Sequence, residues 1–252
     1  MQAYGVGFAR IYNLLWTAFA QRAAPLLRSY YENQPISTCS LNMLDICCGS
    51  GQLARHFLEH GYRVVGIDLS EPMLEHARMN NADYIAAGQA RFFQADAACF
   101  QVDEKFGLAV STFDALNHLP DLSALQGCFR STWEALYLGG MFIFDLNTAL
   151  GLRRWNSINV TDTEEFMVVN RGIYDASGKR AVVHISGFFR RENGLYERFE
   201  ETAFNTVFEL AGVAEALRSA GYSAVRFCRL QDLAGQVEQP EQEERIWIVA
   251  VK

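Results

Sequence analysis

The chain has 252 residues, half of them apolar, and a formal net charge of −7. This length fits one α/β domain of ordinary size, with or without an insertion, and supplies enough apolar residues for a full core. The acidic balance argues against nucleic acid as a partner, because contacts to phosphates need clustered Lys and Arg. Since no apolar run approaches the ~20 residues of a membrane span and no secretory signal pattern opens the sequence, we expect a cytoplasmic protein without a membrane partner.

Residues 3–31 carry apolar side chains at helical spacing, including Phe8, Tyr12 and Trp16. The spacing predicts one or two helices. Pro25 is expected to open a new turn, because proline lacks the amide that a helix interior needs. Aromatic residues spaced in this way are typical of a packed core.

A glycine turn follows the first predicted strand. An apolar run over 41–46 precedes Gly49 and Gly51, and a helix is predicted directly after them. Glycines here let a ligand of the adenosine type lie against the peptide groups at the carboxyl end of the strand. The spacing also satisfies the dinucleotide pattern G-x-G-x-x-A, with Asp68 about 20 residues further on. Asp45 favours S-adenosylmethionine (SAM), since the ammonium and sulfonium of SAM need anionic neighbours.

The rest of the chain alternates strands with helices and then changes character. Such alternation predicts a parallel sheet covered by helices. Three strand-like runs with Ser-Gly and Asn-Gly turns between them predict an antiparallel insertion over 150–204. After it, a helix and two strands predict a reversed hairpin at the edge of the sheet, where a dinucleotide fold would continue in parallel. The strands predicted for the main sheet after the first are 62–68, 90–94, 106–112, 141–147, 224–230 and 246–251.

The stretch from Leu44 to Gly51 resembles motif I of class I SAM-dependent methyltransferases, h-x-D-h-G-x-G-x-G, with Cys47 where the first glycine is usual. Residues 62–78 are similar to the segment of the same family that follows this motif. The resemblance implies that Asp68 accepts the ribose hydroxyls and that Asp96 accepts the exocyclic amine of adenine. The cofactor-binding residues that it implies are Asp45, Cys47, Gly49, Gly51, Asp68, Leu69, Met73, Asp96, Ala97, Ser111 and Thr112.

In this family the loop after the fourth strand is where the acceptor meets the methyl group. The run from Thr112 to Leu119 is similar to the T-x-D-x-L-N-x-L signature of a group of small-molecule methyltransferases. His118 in this loop is placed for general-base work, with a structural role in the loop as the alternative. Tyr12 lies in a run similar to the Y-x-x-x-A-x-x-Y-D opening of such enzymes and is the second candidate catalytic residue. The resemblance implies that this N-terminal segment lies over the cofactor as a lid. The predicted substrate-binding residues are Asp114, Asn117, Arg198 and Glu200.

Two further sets of residues resemble functional sites, but we expect neither site to be present. Asp114, Asp145 and Asn147 resemble the magnesium ligands of catechol-type O-methyltransferases. We expect no metal here, because the surrounding motifs resemble the metal-free group. The adjacent Cys47 and Cys48 are predicted to be small buried residues at the end of a strand rather than a redox pair.

The sequence therefore predicts a Rossmann-like α/β fold: a seven-stranded sheet with a reversed C-terminal hairpin, an N-terminal helical lid and an inserted antiparallel β cap. Residues 1–149 and 205–252 are expected to form the SAM-binding core with its lid, and 150–204 the cap over the acceptor site. The predicted function is methyl transfer by in-line displacement to nitrogen or oxygen of a small-molecule acceptor, with S-adenosylhomocysteine (SAH) as product, by a monomer or homodimer. Two alternatives stay open, an NAD(P)-dependent oxidoreductase and a non-catalytic SAM-binding protein.

Overall fold

Two β-sheets and eight α-helices make up residues 4–252, the part of the chain that the computed structural model describes. Ala3, with which the predicted helical segment begins, lies outside the described residues. The strands are β1 (Asn42–Ile46), β2 (Arg63–Asp68), β3 (Ala90–Gln94), β4 (Phe106–Ser111), β5 (Leu136–Asn147), β6 (Ser157–Asp162), β7 (Phe166–Asp175), β8 (Arg180–Arg190), β9 (Tyr196–Thr206), β10 (Ala224–Cys228) and β11 (Arg245–Val251). The helices are α1 (Val6–Leu15), α2 (Ala18–Glu32), α3 (Gln52–Glu59), α4 (Glu71–Asn80), α5 (Ala82–Ala86), α6 (Leu122–Ala135), α7 (Ala149–Arg153) and α8 (Leu210–Ala220).

The larger sheet has seven strands in the order β10-β11-β5-β4-β1-β2-β3. The strands from β1 to β5 pair in parallel, whereas β11 is antiparallel to both β5 and β10. This reversal confirms the predicted C-terminal hairpin. Helices cover both faces, with Phe129 of α6 and Leu217 of α8 in one core cluster and Leu27 of α2 and Phe57 of α3 in the other. Both faces of the parallel strands are therefore buried, which explains their continuous apolar runs.

The second sheet is antiparallel, has the order β6-β7-β8-β9, and lies in the chain between α7 and α8. Its inner face, which carries Val168 and Ile185, packs on Phe8 and Ile11 of α1. The two sheets together confirm the predicted fold class. The sequence predicted three strands here, and β6 is the one it missed, although Ser157–Asp162 alternates polar and apolar residues with the period of a strand.

The predicted break in the N-terminal helices is misplaced. α1 ends at Leu15 and α2 begins at Ala18, so Pro25 lies inside α2 instead of opening a turn. A proline there leaves the carbonyl of Gln21, four residues earlier, without its helical donor. Pro25 and Gln21 are both exposed, so water can take the place of that donor.

Local signals set the ends of the other helices. The hydroxyl of Ser70 accepts a hydrogen bond from the Met73 amide and caps α4. Gly221 ends α8 with a φ of 106°, which a glycine adopts without strain. No helix within residues 4–252 has both the length and the apolar character that crossing a membrane requires.

Candidate active site

A cavity of about 460 Å³ lies at the carboxyl ends of the parallel strands, where open α/β sheets bind ligands. Its floor consists of residues at or after the ends of these strands, among them Gly49, Asp68 and Thr112. Phe8 and Tyr12 of α1 line it from one side. The inner face of the second sheet lines it from the other, so the N-terminal helix and the inserted sheet meet at one site.

Asp68 ties the glycine turn to the end of β2. Its Oδ2 accepts a hydrogen bond from the Gly49 amide and its Oδ1 accepts one from the Ser70 amide, both at 2.9 Å. Burial raises the pKa of Asp68, and the hydrogen bonds from these amides oppose that shift. Each carboxylate oxygen has a second lone pair, so Asp68 can accept further hydrogen bonds from a ligand in the cavity.

The backbone conformation at Cys47 explains why glycine is usual at this position of the motif. Its φ of 59° is in the left-handed region, which few residues other than glycine adopt without cost. The side chain lines the cavity, and burial raises the pKa of its thiol well above the usual value. Cys47 is therefore uncharged and a poor nucleophile. Gly51, with a φ of 77°, begins α3 and does not line the cavity.

Asp45 lies beneath the glycine turn rather than in the cavity wall, and only 2% of it is exposed. The Ala54 amide of α3 donates a hydrogen bond to it, while its Oδ2 has no hydrogen-bond partner among the described residues. Burial, assisted by the nearby Asp68, raises the pKa of Asp45 to about 8. In the free protein this carboxyl group is therefore largely protonated at neutral pH.

This pKa predicts how Asp45 affects stability. Because the folded pKa of about 8 exceeds the unfolded value of ~3.9, the folded state binds the extra proton between these values. The contribution of Asp45 to the free energy of unfolding therefore falls as pH rises from 4 to 8. We expect Asp45→Asn, which keeps the shape without the charge, to gain thermal stability relative to the unsubstituted protein between pH 5 and pH 8. Melting curves at both pH values measure this, and a pH-independent difference would contradict it.

The remaining predicted cofactor residues divide into two groups. Leu69, Met73, Ala97 and Thr112 line the cavity. Asp96 and Ser111 are not in its wall: Asp96 Oδ1 accepts the Ala98 amide at 2.8 Å and caps the turn after β3. The Ser111 hydroxyl is buried and without a hydrogen-bond partner in the described part of the chain.

His118 is hydrogen-bonded through both ring nitrogens. Nδ1 lies 2.8 Å from the Phe204 carbonyl oxygen, which can only accept, so Nδ1 carries the proton. Nε2, 2.8 Å from the Tyr4 hydroxyl, therefore accepts from that hydroxyl. Burial lowers the pKa of His118 to about 4 and raises the pKa of Tyr4. Both side chains are thus neutral at pH 7, and both line the cavity.

Tyr12, the other predicted catalytic residue, lies in the cavity wall beside the glycine turn. A Cβ added at Gly49 would stand 3.5 Å from its ring, so the turn and the tyrosine are in van der Waals contact range. Burial raises the pKa of its hydroxyl, with the nearby Asp68 and Asp114 adding to the shift. The hydroxyl stays protonated and is available as a hydrogen-bond donor or acceptor.

An ion-paired cluster forms the wall at the end of β4 and β5. Arg245, the first residue of β11, forms salt bridges with Asp114 and Asp145, and its guanidinium stacks over the Phe19 and Phe113 rings. Both carboxyl pKa values are raised by burial, an effect that Arg245 opposes. Among the described residues no three or more His, Cys, Asp and Glu side chains cluster as metal ligands. A guanidinium instead lies between the two acids of the magnesium-like set.

The backbone at this wall is strained. Phe113 and Asp114 have φ values of 65° and 49°, two successive left-handed residues without a glycine. Such conformations cost of order 1–3 kcal/mol each and cluster at functional sites. The Asp114 amide donates to Asp145 Oδ2 at 2.9 Å, which holds the turn in place and presents Asp114 to the cavity.

The structure does not bring three of the predicted substrate-binding residues to the cavity. Asn117 is fully buried and links β5 to β9: its amide donates to the Asn147 and Thr206 carbonyls, and its oxygen accepts the Asn147 amide. Arg198 and Glu200 pair with each other on the exposed face of β9. The odd-numbered residues of β9, such as Phe199, are the ones that face α1, so alternation turns the even-numbered ones outward.

Sequence reasoning also missed part of the site. Arg245 gave no local signal, because it lies outside every motif and its partners are 100 and 131 residues away in the chain. Tyr4 and Trp155 also line the cavity. The other liners that it missed include Phe113, Ser157, Asn159 and Asn170.

The sheet order, the reversed hairpin and the acid-lined glycine turn define the fold of class I SAM-dependent methyltransferases. Solved structures agree: a SAM-dependent methyltransferase from Clostridium acetobutylicum superimposes with a TM-score of 0.76 at 22% identity, covering 97% of each chain. DesVI of Streptomyces venezuelae superimposes with a TM-score of 0.71 at 24% identity, covering 98% of this chain and 99% of its own.

Sequence comparison gives the same class. Residues 43–140 match the family model described as Methyltransferase domain. YqeM of Bacillus subtilis, which carries the name of a methyltransferase, is 26% identical over 98% of this chain and 96% of its own length. Residues 43–140 are therefore similar to methyltransferase domains, and the fold is that of SAM-dependent methyltransferases, which supports the predicted class and the predicted cofactor SAM with SAH as product.

Proposed function

We propose that this enzyme methylates an amine nitrogen of a small-molecule acceptor that binds between the strand ends and the second sheet. The charges of the cavity carry this proposal. Among the described residues Asp68 has no cationic partner, and Asp114 and Asp145 share the single guanidinium of Arg245, so acids are in excess at the cavity. The other arginine that lines it, Arg154, pairs with Glu244. A cationic cofactor and a basic amine both suit such a cavity. An acceptor that binds through phosphate or carboxylate would find no unpaired cation among the described residues of its wall.

Comparisons over the whole chain support nitrogen as the target. The dTDP-3-amino-3,4,6-trideoxy-alpha-D-glucopyranose N,N-dimethyltransferase of Streptomyces venezuelae is 27% identical over 86% of this chain and 91% of its own length. The match to the ubiquinone biosynthesis O-methyltransferase of Pseudomonas fluorescens covers only 41% of this chain. Similarity that extends through the inserted sheet thus favours an amine over a hydroxyl acceptor.

The residues present fit SAM as the methyl donor. When bound, SAM supplies a methyl group on a sulfonium, already activated for in-line displacement. Asp68 would hold the ribose hydroxyls with the lone pairs that Gly49 and Ser70 leave free, and Met73 would pack against adenine. Thr112 and the uncharged Cys47 would line the methionine part. The buried, unpartnered oxygen of Asp45 would place negative charge under the turn when a cation binds.

Tyr4 and His118 would orient the acceptor. With a pKa of about 4, His118 is a weak base at pH 7, and its Nε2 is occupied by the Tyr4 hydroxyl. We therefore assign His118 as a positioning residue that fixes Tyr4. The oxygen of Tyr4 can then accept a hydrogen bond from an amine N–H, which turns the nitrogen lone pair toward the methyl carbon. Asp114 would attract the amine and later the product ammonium, whose proton leaves to solvent.

Removing the Tyr4 hydroxyl tests this arrangement. We expect Tyr4→Phe to lower kcat by about 10- to 100-fold, because orientation of the attacking nitrogen is lost, while the Kd for SAM stays unchanged. His118→Gln should lower kcat in the same way, because the fixed orientation of Tyr4 is lost. Tyr137→Phe, the same change at an exposed tyrosine, is the matched control. Unchanged kcat in Tyr4→Phe would rule out the proposed role of this hydroxyl.

Acceptor chemistry is tested directly with methyl-labelled SAM. The enzyme is incubated in parallel with amino sugars and simple amines and with hydroxyl compounds of the same skeleton. Mass spectrometry detects the labelled product. The proposal expects transfer to members of the amine set alone. Transfer to a hydroxyl compound but not to its amine counterpart would overturn it, and SAM binding without any transfer would favour a non-catalytic protein.

A further inference from the structure

The wall that the second sheet contributes to the cavity carries no charge. Ser157 and Asn159 of β6 and Asn170 of β7 line the cavity from the half of the sheet opposite β9, the strand on which α1 packs. We call these three side chains the neutral set. The acids Asp68 and Asp114 lie at the strand ends of the larger sheet. The cavity therefore has one acidic wall and one polar but uncharged wall.

Asn170 is the member of the neutral set whose hydrogen bonding is incomplete. Its side-chain oxygen is buried, and no described residue donates a hydrogen bond to it. Strand pairing places Asn159 directly opposite Asn170, but the Asn159 amide donates to the Ser157 hydroxyl at 3.2 Å. The neighbour on β8 is Ile185, whose side chain has no donor. The oxygen of Asn170 therefore finds no partner in its own sheet.

This unpartnered oxygen points to recognition of a ligand. Most buried polar side-chain atoms are hydrogen-bonded, because leaving one unpaired costs free energy. A site whose buried polar groups pair with the substrate rejects analogues that leave those groups unpaired. Since Asn170 lines the cavity, the missing partner of its oxygen is expected to come from the molecule that binds there.

The surroundings of Asn170 decide which chemical group fits. Its oxygen needs a donor, which excludes an ionised acid, because carboxylate and phosphate oxygens only accept hydrogen bonds. An ammonium group would be a cation beside side chains that have no charge to compensate it. A hydroxyl group adds no charge, and because it both donates and accepts, it pairs with either end of the Asn170 amide. The neutral set therefore fits a hydroxyl group.

Trp155 adds apolar surface beside the neutral set. It precedes β6 and lines the cavity. A Cβ added at Gly172 of β7 would stand 2.0 Å from the Trp155 carbonyl oxygen, so the missing side chain lets this segment lie against β7. Apolar surface with a few placed polar groups is the usual composition of a small-molecule site. Such a wall suits a carbon ring or chain that carries hydroxyl groups.

From the unpartnered oxygen and its uncharged surroundings we infer that Asn170 is a specificity-determining residue that pairs with a hydroxyl group of the acceptor. The acceptor is then a hydroxylated amine. Its nitrogen lies near Tyr4 and Asp114 at the acidic wall, and one of its hydroxyl groups binds at Asn170. The inference rests on the proposed transfer to an amine.

The spacing of the strands allows one acceptor to reach both walls. Asn170 pairs with Ile185 of β8, which pairs with Glu201 of β9, so two strand spacings of about 10 Å separate the backbones of Asn170 and Glu201. Glu201 accepts a hydrogen bond from the Gly5 amide, next to Tyr4, at 2.8 Å. Tyr4 and Asn170 line the same cavity, so a single small molecule can contact both.

Paired acceptors test the role of Asn170. Each amine that the unsubstituted enzyme methylates is compared with analogues that each lack one hydroxyl group, and the simplest pair is an aminocyclohexanol and cyclohexylamine. We expect the loss of one particular hydroxyl group to lower kcat/KM about 10- to 100-fold. Asn170→Leu should lower kcat/KM for the hydroxylated acceptor by the same factor, abolish the preference for it, and leave the Kd for SAM unchanged.

A matched control and a stability measurement separate recognition from a structural role. Asn193→Leu, the same change in the exposed turn between β8 and β9, should keep the preference for the hydroxylated acceptor. Because no described residue donates to the Asn170 oxygen, Asn170→Leu should melt at the same temperature as the unsubstituted protein or higher.

The outcomes distinguish this inference from the proposed function. Equal kcat/KM for hydroxylated and deoxy amines in the unsubstituted enzyme would overturn the role of Asn170 and leave transfer to amines standing. Equal losses for both acceptors in Asn170→Leu, or a clearly lower melting temperature, would do the same. No transfer to any amine would overturn the proposed function, and this inference with it.

Discussion

Replacing Arg245 by Met is expected to destabilise the protein by about 3 kcal/mol. Removing one partner of a buried ion pair leaves an uncompensated charge, which costs about 3–5 kcal/mol, and the side chain of Arg245 is 25% exposed, which favours the lower end. Asp145 is fully buried and Asp114 nearly so, and without the guanidinium the two carboxylates would face each other. Urea unfolding followed by circular dichroism gives the free energy of unfolding.

Two further variants make the result specific. Arg229→Met removes an exposed salt bridge to Glu243 in the same C-terminal hairpin and should change stability little. Adding Asp114→Asn and Asp145→Asn to Arg245→Met removes the unpaired charges and should recover part of the loss. Equal unfolding midpoints for Arg245→Met and Arg229→Met would show that the cluster is not a stabilising element.

The second large effect is expected at Asp68, where Asn should weaken SAM binding about 100-fold. The substitution removes a negative charge from the cavity and replaces a carboxylate that accepts from Gly49 and Ser70 with an amide that has one acceptor oxygen. Hydrogen bonds to a charged group contribute about 1.5–3 kcal/mol each, and 2.7 kcal/mol is about a factor of 100 in Kd. Isothermal titration with SAM measures the change.

Asp83→Asn, the same substitution on the exposed surface of α5, is the matched control for Asp68 and should bind SAM like the unsubstituted protein. A melting curve of Asp68→Asn without ligand separates loss of binding from loss of the folded turn. If Asp68→Asn binds SAM within threefold of the unsubstituted protein, Asp68 does not hold the cofactor.

What the sequence predicts well is local. The glycine turn lies between β1 and α3, and the acid at the end of β2 lies in the next strand–turn–helix unit. Within such short units pattern and structure are directly linked. The reversed hairpin was also predictable, because two strands without a helix between them leave few other topologies. These features form the part of the site that faces the cofactor.

What the sequence predicts poorly depends on contacts between distant segments. Arg245 reaches Asp114 only after β11 has inserted beside β5. The face on which Arg198 and Glu200 lie depends on the register of β9, and a shift of one residue would turn both toward α1. The pKa of His118 depends on burial beneath α1 and β9, which no local pattern reveals. These features form the acceptor side of the site.

The central claim is that the cavity binds SAM and that the enzyme uses it as methyl donor. The most direct measurement is isothermal titration of the unsubstituted protein with SAM, SAH and NADH in turn. We expect micromolar binding of SAM and SAH at one site per chain, and no binding of NADH at the same concentrations. Binding of NADH without binding of SAM or SAH would contradict it and would make the protein an oxidoreductase built around the same glycine turn.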